Sequence, residues 1–201
     1  MLLLVIAHEG EAREFIRRKH TQTVEFHFTG LFRCDDELLL LSGEGIQMTT
    51  LRLSAVCTYF ANKIDRVLNL GIAGGLDPTL QVNQFYGIHT VHHELKGAPA
   101  YPSFHCKVTG SQLACVTALQ RVLDDAYAAS LSKIAPIVDR ELWAVGSVCQ
   151  LFRLPFKSYK LISDQAGSGT NQVRVIDGAE MIGKHLFDFY KNLSQVREAW
   201  D

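Results

Sequence analysis

The sequence predicts an α/β fold built on one core. Apolar runs of strand length alternate with amphipathic stretches of helical length, and no low-complexity linker or repeat interrupts them. One such run, Val67 to Leu70, passes into three glycines within five residues, Gly71, Gly74 and Gly75. Glycines placed so permit a sharp turn and let bare backbone amides approach a ligand, which marks the edge of a binding site. At 201 residues, 47% hydrophobic and 20% charged, the chain can bury one good core, so residues 1–201 are expected to form a single domain.

Each element follows from local pattern. Leu2 to Ala7 is apolar, too short for a signal core or a membrane span, and followed by acids, so it reads as a first strand. A helix is expected from about Glu9 to His20, then a hairpin of Val24 to Thr29 and Glu37 to Leu41 turned at Asp35-Asp36. A helix over Met48 to Asn62 feeds the strand Arg66 to Leu70, and that β-α-β order implies a mostly parallel, buried sheet. Phe85 to Val91 and Cys106 to Thr109 read as strands, Thr117 to Ser130 as a helix, and Ala135 to Val138 as a short buried strand. An acidic residue opens the next helix, whose apolar face carries Leu142, Val145, Val148, Cys149 and Phe152 and which Pro155 stops. Phe156 to Ile162 is a strand that delivers Ser163 and Asp164 at its end; a last helix, Ala179 to Leu193, carries Met181, Ile182, Leu186, Phe189 and Leu193 on one face. Ligands in open α/β sheets bind beyond the carboxyl ends of the strands, where Glu11, Gly71, Glu141 and Asp164 all fall.

Composition excludes several functions. A formal net charge of -1, with no basic block wider than Arg17-Arg18-Lys19, gives no footprint for nucleic acid. No membrane partner is expected, and the protein is expected in the cytoplasm. Five cysteines without a Cys-x-x-Cys pairing argue for reduced thiols rather than a disulfide frame or a zinc site. His89, His92 and His93 do not make a metal site, because His89 and His92 point to opposite faces of a strand and no acidic third ligand has the right spacing.

Four segments then carry a resemblance: Ala7-His8-Glu9-Gly10-Glu11-Ala12 at the start, the turn Ser42-Gly43-Glu44-Gly45, the signature Ala73-Gly74-Gly75-Leu76, and the stretch from Val138 through Ile162-Ser163-Asp164. Together they resemble the purine nucleoside phosphorylase and nucleosidase superfamily, most closely its hydrolytic branch, the 5′-methylthioadenosine/S-adenosylhomocysteine nucleosidases. The resemblance implies a three-layer phosphorylase/hydrolase-like fold, with a central mixed, mostly parallel sheet flanked by helices. It also implies a small-molecule nucleoside substrate, no cofactor, and a homodimer or larger homo-oligomer.

Breaking a purine N-glycosidic bond needs a better leaving group, stabilised positive charge on the ribose, and a nucleophile at the anomeric carbon. By resemblance, Asp164 protonates the purine N7 with Ser163 beside it, and Glu11 activates the attacking water. Glu141 matches the glutamate that takes the ribose hydroxyls; a carboxylate accepts two hydrogen bonds side by side and supports an oxocarbenium-like transition state. Arg140 stands where the family has a methionine under the sugar, and Lys160 where it has an arginine near the water-activating glutamate. Ser42, Ala73 and Gly74 complete the implied substrate contacts. Read without the resemblance, Asp164 is also an ordinary loop acid or helix cap, Glu141 and Glu11 are first-turn helix acids, and Lys160 is a surface lysine on an edge strand.

Departures from the family bear on specificity. The family's base-stacking segment has its counterpart in Lys107 to Leu113, which is shorter, and the aromatic expected beyond Asp164 is absent from Gly167 to Arg174. Phe104, Tyr101 and Pro102 are candidates for the pocket rim, and Trp143 for core packing. A phosphorylase needs a cationic cradle, whereas Glu44 in the turn repels phosphate, so water is the better nucleophile. The alternatives left open are a phosphate-dependent phosphorylase and a relative that binds nucleosides without turnover.

Overall fold

A computed structural model describes residues 1–95, 103–106, 112–167 and 179–195. In chain order the strands are β1 (Leu2–Ile6), β2 (Gln22–Thr23), β3 (Leu31–Cys34), β4 (Glu37–Leu41), β5 (Arg66–Gly75), β6 (Phe85–His93), β7 (Ser103–His105), β8 (Gln112–Thr117), β9 (Ile137–Asp139) and β10 (Phe156–Gln165). The helices are α1 (Glu9–Arg18), α2 (Gly45–Tyr59), α3 (Asp125–Ser132), α4 (Leu142–Phe152) and α5 (Ala179–Gln195).

All ten strands join one mixed sheet. β1 lies between β4 and β5 and is parallel to both, and its five residues are buried without alternation, as a strand covered on both faces must be. Beyond β5 the sheet closes on itself: β5 pairs with β10, β10 with β6, β6 with β8, β8 with β9, and β9 returns to β5. This ring was not evident from the sequence, because β9 is only three residues long and β5 serves three partners. The helices pack in two pairs, α1 with α5 and α2 with α4. Phe15 of α1 is fully buried against Phe187 and Tyr190 of α5, with ring centroids 5.2 and 5.4 Å apart.

Several elements differ from expectation for identifiable reasons. The first hairpin strand is Leu31–Cys34, not Val24 to Thr29; the alternating Phe26 and Phe28 instead pack around α2, with Phe26 against Tyr59 and Phe28 under the Arg52 guanidinium. The turn at Asp35-Asp36 stands, with Asp35 in the left-handed region. Gln112–Thr117 is a strand between β6 and β9, and the helix expected from Thr117 starts only at Asp125. Asp124 caps that helix by accepting from the Tyr127 amide at 2.8 Å, worth about 1 kcal/mol. Of the strand expected over Cys106 to Thr109, residues 107–109 lie outside the described residues; the observed strand is Ser103–His105. On α5, Met181 is exposed, whereas Phe187 and Tyr190 join Ile182 and Leu186 in the core.

The glycine signature also has a different role from the one its composition suggests. β5 continues unbroken through Gly75, and none of its glycines has a positive φ. They are needed for close approach rather than for a turn. A Cβ on Gly74 would lie 3.0 Å from the Ala166 Cβ and 3.2 Å from a Val138 methyl. Gly43 and Gly45, by contrast, have positive φ and bend the chain from β4 into α2.

Candidate active site

Residues at the ends of β1, β5, β9 and β10 surround a cavity of about 500 Å³. At its floor lies a group of four ionisable side chains. Glu11 enters from the first turn of α1 and is 6% exposed; its Oε2 lies 3.3 Å from the Ile72 amide nitrogen. The bare Cα of Gly71 makes room for it, since a Cβ there would come within 3.0 Å of that oxygen and 3.7 Å of Lys160 Nζ. Lys160 is fully enclosed on β10, which pairs on both sides with β5 and β6; it is not a surface lysine on an edge strand. Its ammonium donates to Asp139 Oδ2 at 2.8 Å.

Asp139 is held from three directions. Its Oδ2 also accepts from the Leu142 amide at 2.8 Å, and its Oδ1 accepts from Thr117 Oγ1 at 2.7 Å. Thr117 Oγ1 in turn accepts from the Trp143 amide at 2.9 Å, so the pair satisfies the first amides of α4. Glu141, at the start of α4, is buried and accepts from the Gly45 amide at 2.7 Å, placing its charge at the N-terminus of α2.

This environment sets the protonation of the floor. Burial, then the nearby Glu141 charge, pushes the Glu11 carboxyl up to about 8, against the opposing pull of Lys160 and the Ile72 amide. Burial followed by Asp139 raises Glu141 to about 7. Burial disfavours the Lys160 ammonium, but Asp139 and Glu141 outweigh it and hold the lysine charged well above its usual range. Two carboxyls that titrate near neutrality on one cavity wall suit acid–base chemistry.

Asp164 reaches the cavity through an irregularity in β10. Ile162 pairs with Ala73 but Asp164 pairs with Gly74, so Ser163 is an extra residue, and such bulges re-aim the side chains beside them. Ser163 Oγ lies 3.3 Å from the Ala73 carbonyl and donates to Asp164 Oδ1 at 2.5 Å. Ser163, Asp164, Ala73 and Gly74 all line the cavity with Glu11, Glu141, Arg140 and Lys160. Ser42 does not line it. It is buried beneath the turn, where its hydroxyl lies 3.2 Å from the Gly43 carbonyl and 3.4 Å from Thr49 Oγ1.

Other cavity residues had no sequence signal. Asn69 bridges neighbouring strands, donating to the Val5 carbonyl at 3.1 Å and accepting from Ser158 Oγ at 2.9 Å. Gln120 to Leu123, in the connection between β8 and α3, form part of the wall. Of the Lys107 to Leu113 segment expected to hold the base, residues 107–111 lie outside the described residues, and Gln112 and Leu113 are in β8. Phe104 packs on α4 against Trp143, over Gly146, whose Cβ would lie 2.8 Å from the ring; it does not line the cavity. Tyr101 and Pro102, and the stretch after Gly167, lie outside the described residues. Glu44 is not an isolated repulsive acid: Arg140 donates to it, and Arg121 Nη2 lies 2.9 Å from its Oε1. Among the described residues no cluster of His, Cys, Asp or Glu is placed to hold a metal ion, and no helix is long and apolar enough to cross a membrane.

No family model matches the sequence, and no curated protein matches it. The fold, by contrast, is shared along nearly the whole chain with solved structures of nucleosidases. A futalosine hydrolase mutant of Helicobacter pylori superposes with a TM-score of 0.83 at 16% identity, covering 96% of this chain and 98% of that one. The 5′-methylthioadenosine/S-adenosylhomocysteine nucleosidase of the same organism, in complex with butyl-thio-DADMe-Immucillin-A, gives 0.82 at 17% identity over 96% and 97%. That of Colwellia psychrerythraea, with adenine bound, gives 0.80 at 18% identity over 96% and 93%.

Proposed function

We propose that this protein is a nucleosidase that hydrolyses the N-glycosidic bond of a purine nucleoside. The observation that carries this reading is the convergence of Glu11, Glu141 and Asp164 on one cavity at the strand ends, in a fold shared with hydrolases of that bond. In the reaction, Asp164 delivers its proton to the purine N7. The C1′–N9 bond then breaks and its electron pair leaves with the base. Glu141 accepts the ribose hydroxyls and stabilises the positive charge that develops on the sugar. Glu11 takes a proton from the water whose oxygen attacks C1′, and a carboxyl raised to about 8 is a stronger base for this task than an ordinary glutamate. Ser163 orients Asp164; Lys160 and Asp139 position the two glutamates; the walls at Ala73 and Gly74 admit the ligand to the strand ends.

Several broader features belong to the same reading. The chain acts as one domain in the cytoplasm, without a cofactor and as a homodimer or larger assembly. Leu123, in the cavity wall, and Leu119 beside it are 51% and 55% exposed and favour such association. A monomer by light scattering at micromolar concentration contradicts the assembly.

Release of free base from a panel of purine nucleosides, with and without phosphate, tests the reaction. Hydrolysis proceeds at the same rate in both; strict dependence on phosphate overturns water as the nucleophile. On the substrate identified, Asp164→Asn lowers turnover by about a hundredfold or more while binding persists. Full activity in Asp164→Asn would falsify the proton-donor role. Glu11→Gln causes a comparable loss and removes the limb of kcat/KM that rises toward pH 8.

A further inference from the structure

Around the mouth of the cavity, two arginines and a histidine gather on one carboxylate, and one of those arginines, Arg140, also lies within electrostatic reach of Glu141. Glu44, on the left-handed turn between β4 and α2, accepts from Arg121 Nε at 3.0 Å and Nη2 at 3.1 Å, and from Arg140 Nη1. The His8 imidazole lies 4.0 Å from the same carboxylate, and Arg13 lines the same cavity. A guanidinium carries five N–H donors, so two of them exceed what one carboxylate can accept. The Nε of Arg140 is buried and has no hydrogen-bond partner among the described residues. The rim therefore holds donors that its own acceptor leaves unused.

Its position relative to the floor gives those donors a direction. β1 and β5 separate β4, which leads into Glu44, from β10, which carries Asp164. Glu44 and Asp164 thus line the cavity from strand ends with two strands between them, and Glu141, bonded to the Gly45 amide, lies beside the turn. A purine at Asp164 with its ribose on Glu141 extends its sugar side toward Arg140 and Arg121.

We propose that Arg121, Arg140 and His8 form an anion subsite for a carboxylate or phosphate carried on the sugar side of the nucleoside. In the free protein Glu44 holds the guanidiniums in place until that anion takes its position. The proposal rests on the nucleosidase reading above and names its substrate class. The paired, planar donors match the two oxygens of a carboxylate or phosphate. A cationic substituent fits poorly, because engaging Glu44 strips both guanidiniums of their counter-ion. The three pairing side chains are partly exposed, so the attraction weakens with salt.

Isothermal titration of the whole protein with adenosine, adenosine 5′-monophosphate, adenosine-5′-carboxylate and inorganic phosphate tests the subsite. Both 5′-anionic ligands bind about tenfold or more tighter than adenosine at low salt. The ratio shrinks as salt rises, falls toward one in Arg140→Met and Arg121→Ala, and grows in Glu44→Gln, which removes the competing carboxylate. Equal or weaker binding of both anionic ligands by the unaltered protein overturns the proposal, whether or not the variants fold. So does inorganic phosphate that binds alongside adenosine and strengthens it, an outcome that assigns the rim to a free anion. Release of adenine from adenosine by a protein with no anion preference removes the subsite and leaves the nucleosidase reading standing. An anion preference without release of base from any ligand supports the subsite and removes that reading.

Discussion

Two of the carboxylate–cation pairs that line the cavity have nearly equal length in opposite surroundings. At the floor, Lys160 and Asp139 meet at 2.8 Å with side chains 2% and 0% exposed. At the rim, Arg121 and Glu44 meet at 2.9 Å with side chains 41% and 31% exposed. Distance is the same, so solvent makes the difference. At the floor neither charge can exchange its partner for water, which fixes geometry, and the same burial raises the carboxyls of Glu11 and Glu141 toward neutrality against the pull of Lys160. At the rim water and salt compete with the pair, which makes it weak and exchangeable. A rigid floor serves proton transfer; an exchangeable rim serves selection of a ligand.

The largest expected effect comes from breaking the floor pair. Lys160→Met strands the buried Asp139 without its counter-ion and removes one of the cations beside Glu141, and it should cost about 3–5 kcal/mol at pH 7 by chemical denaturation. The cost should shrink at pH 5, where the stranded carboxyl takes up a proton; an equal loss at both pH values would show that packing, not charge, makes Lys160 necessary.

Gly71→Ala tests the close approach beneath Glu11. The added Cβ, 3.0 Å from Glu11 Oε2, forces the carboxyl aside. Stability should fall by about 1–3 kcal/mol, and base release should fall with it. Unaltered turnover in a folded variant removes Glu11 from the reaction.

The floor also predicts how stability depends on pH. Glu11 is raised in the folded protein from 4.5 to about 8, so the folded state binds more protons than the unfolded state between those values. Its contribution is complete below about pH 4.5 and is lost as the pH rises through about 8, with a slope on the order of 1 kcal/mol per pH unit. Glu11→Gln should flatten that decline in denaturation curves taken from pH 5 to 8. An unchanged slope places the raised carboxyl elsewhere.

The smallest effect belongs to the rim. Glu44→Gln should change stability by about 1 kcal/mol or less, and less still at high salt. A loss as large as that of Lys160→Met would erase the contrast between the two regions and make the rim part of the folded framework.

What was legible in the sequence was what local pattern and spacing encode. The first strand, the helix that Pro155 ends, and the strand that delivers Asp164 follow from runs of apolar residues and their breakers. Local pattern placed Glu11, Glu141 and Asp164 near strand ends, but only the family resemblance singled them out from ordinary loop and first-turn acids. Where local pattern was ambiguous the reading failed. Local pattern assigns no element to Leu113 to Val116 and starts a helix at Thr117, whereas pairing with β6 and β9 makes them a strand; Val24 to Thr29 alternates like a strand but spends its aromatics on α2.

By itself, then, the sequence determined the alternation of strands and helices, the α/β class and the placement of Glu11, Glu141 and Asp164 near strand ends, because these depend on residues close together along the chain. Tertiary structure decided the closure of the sheet through β5, β10, β6, β8 and β9, and the burial of a lysine that local sequence leaves free to lie at the surface. It also decided that Glu44 meets Arg121, 77 residues away, and Arg140, 96 residues away. Charge pairing and desolvation are properties of the assembled space around a side chain, and no periodicity in the chain encodes which distant group fills that space.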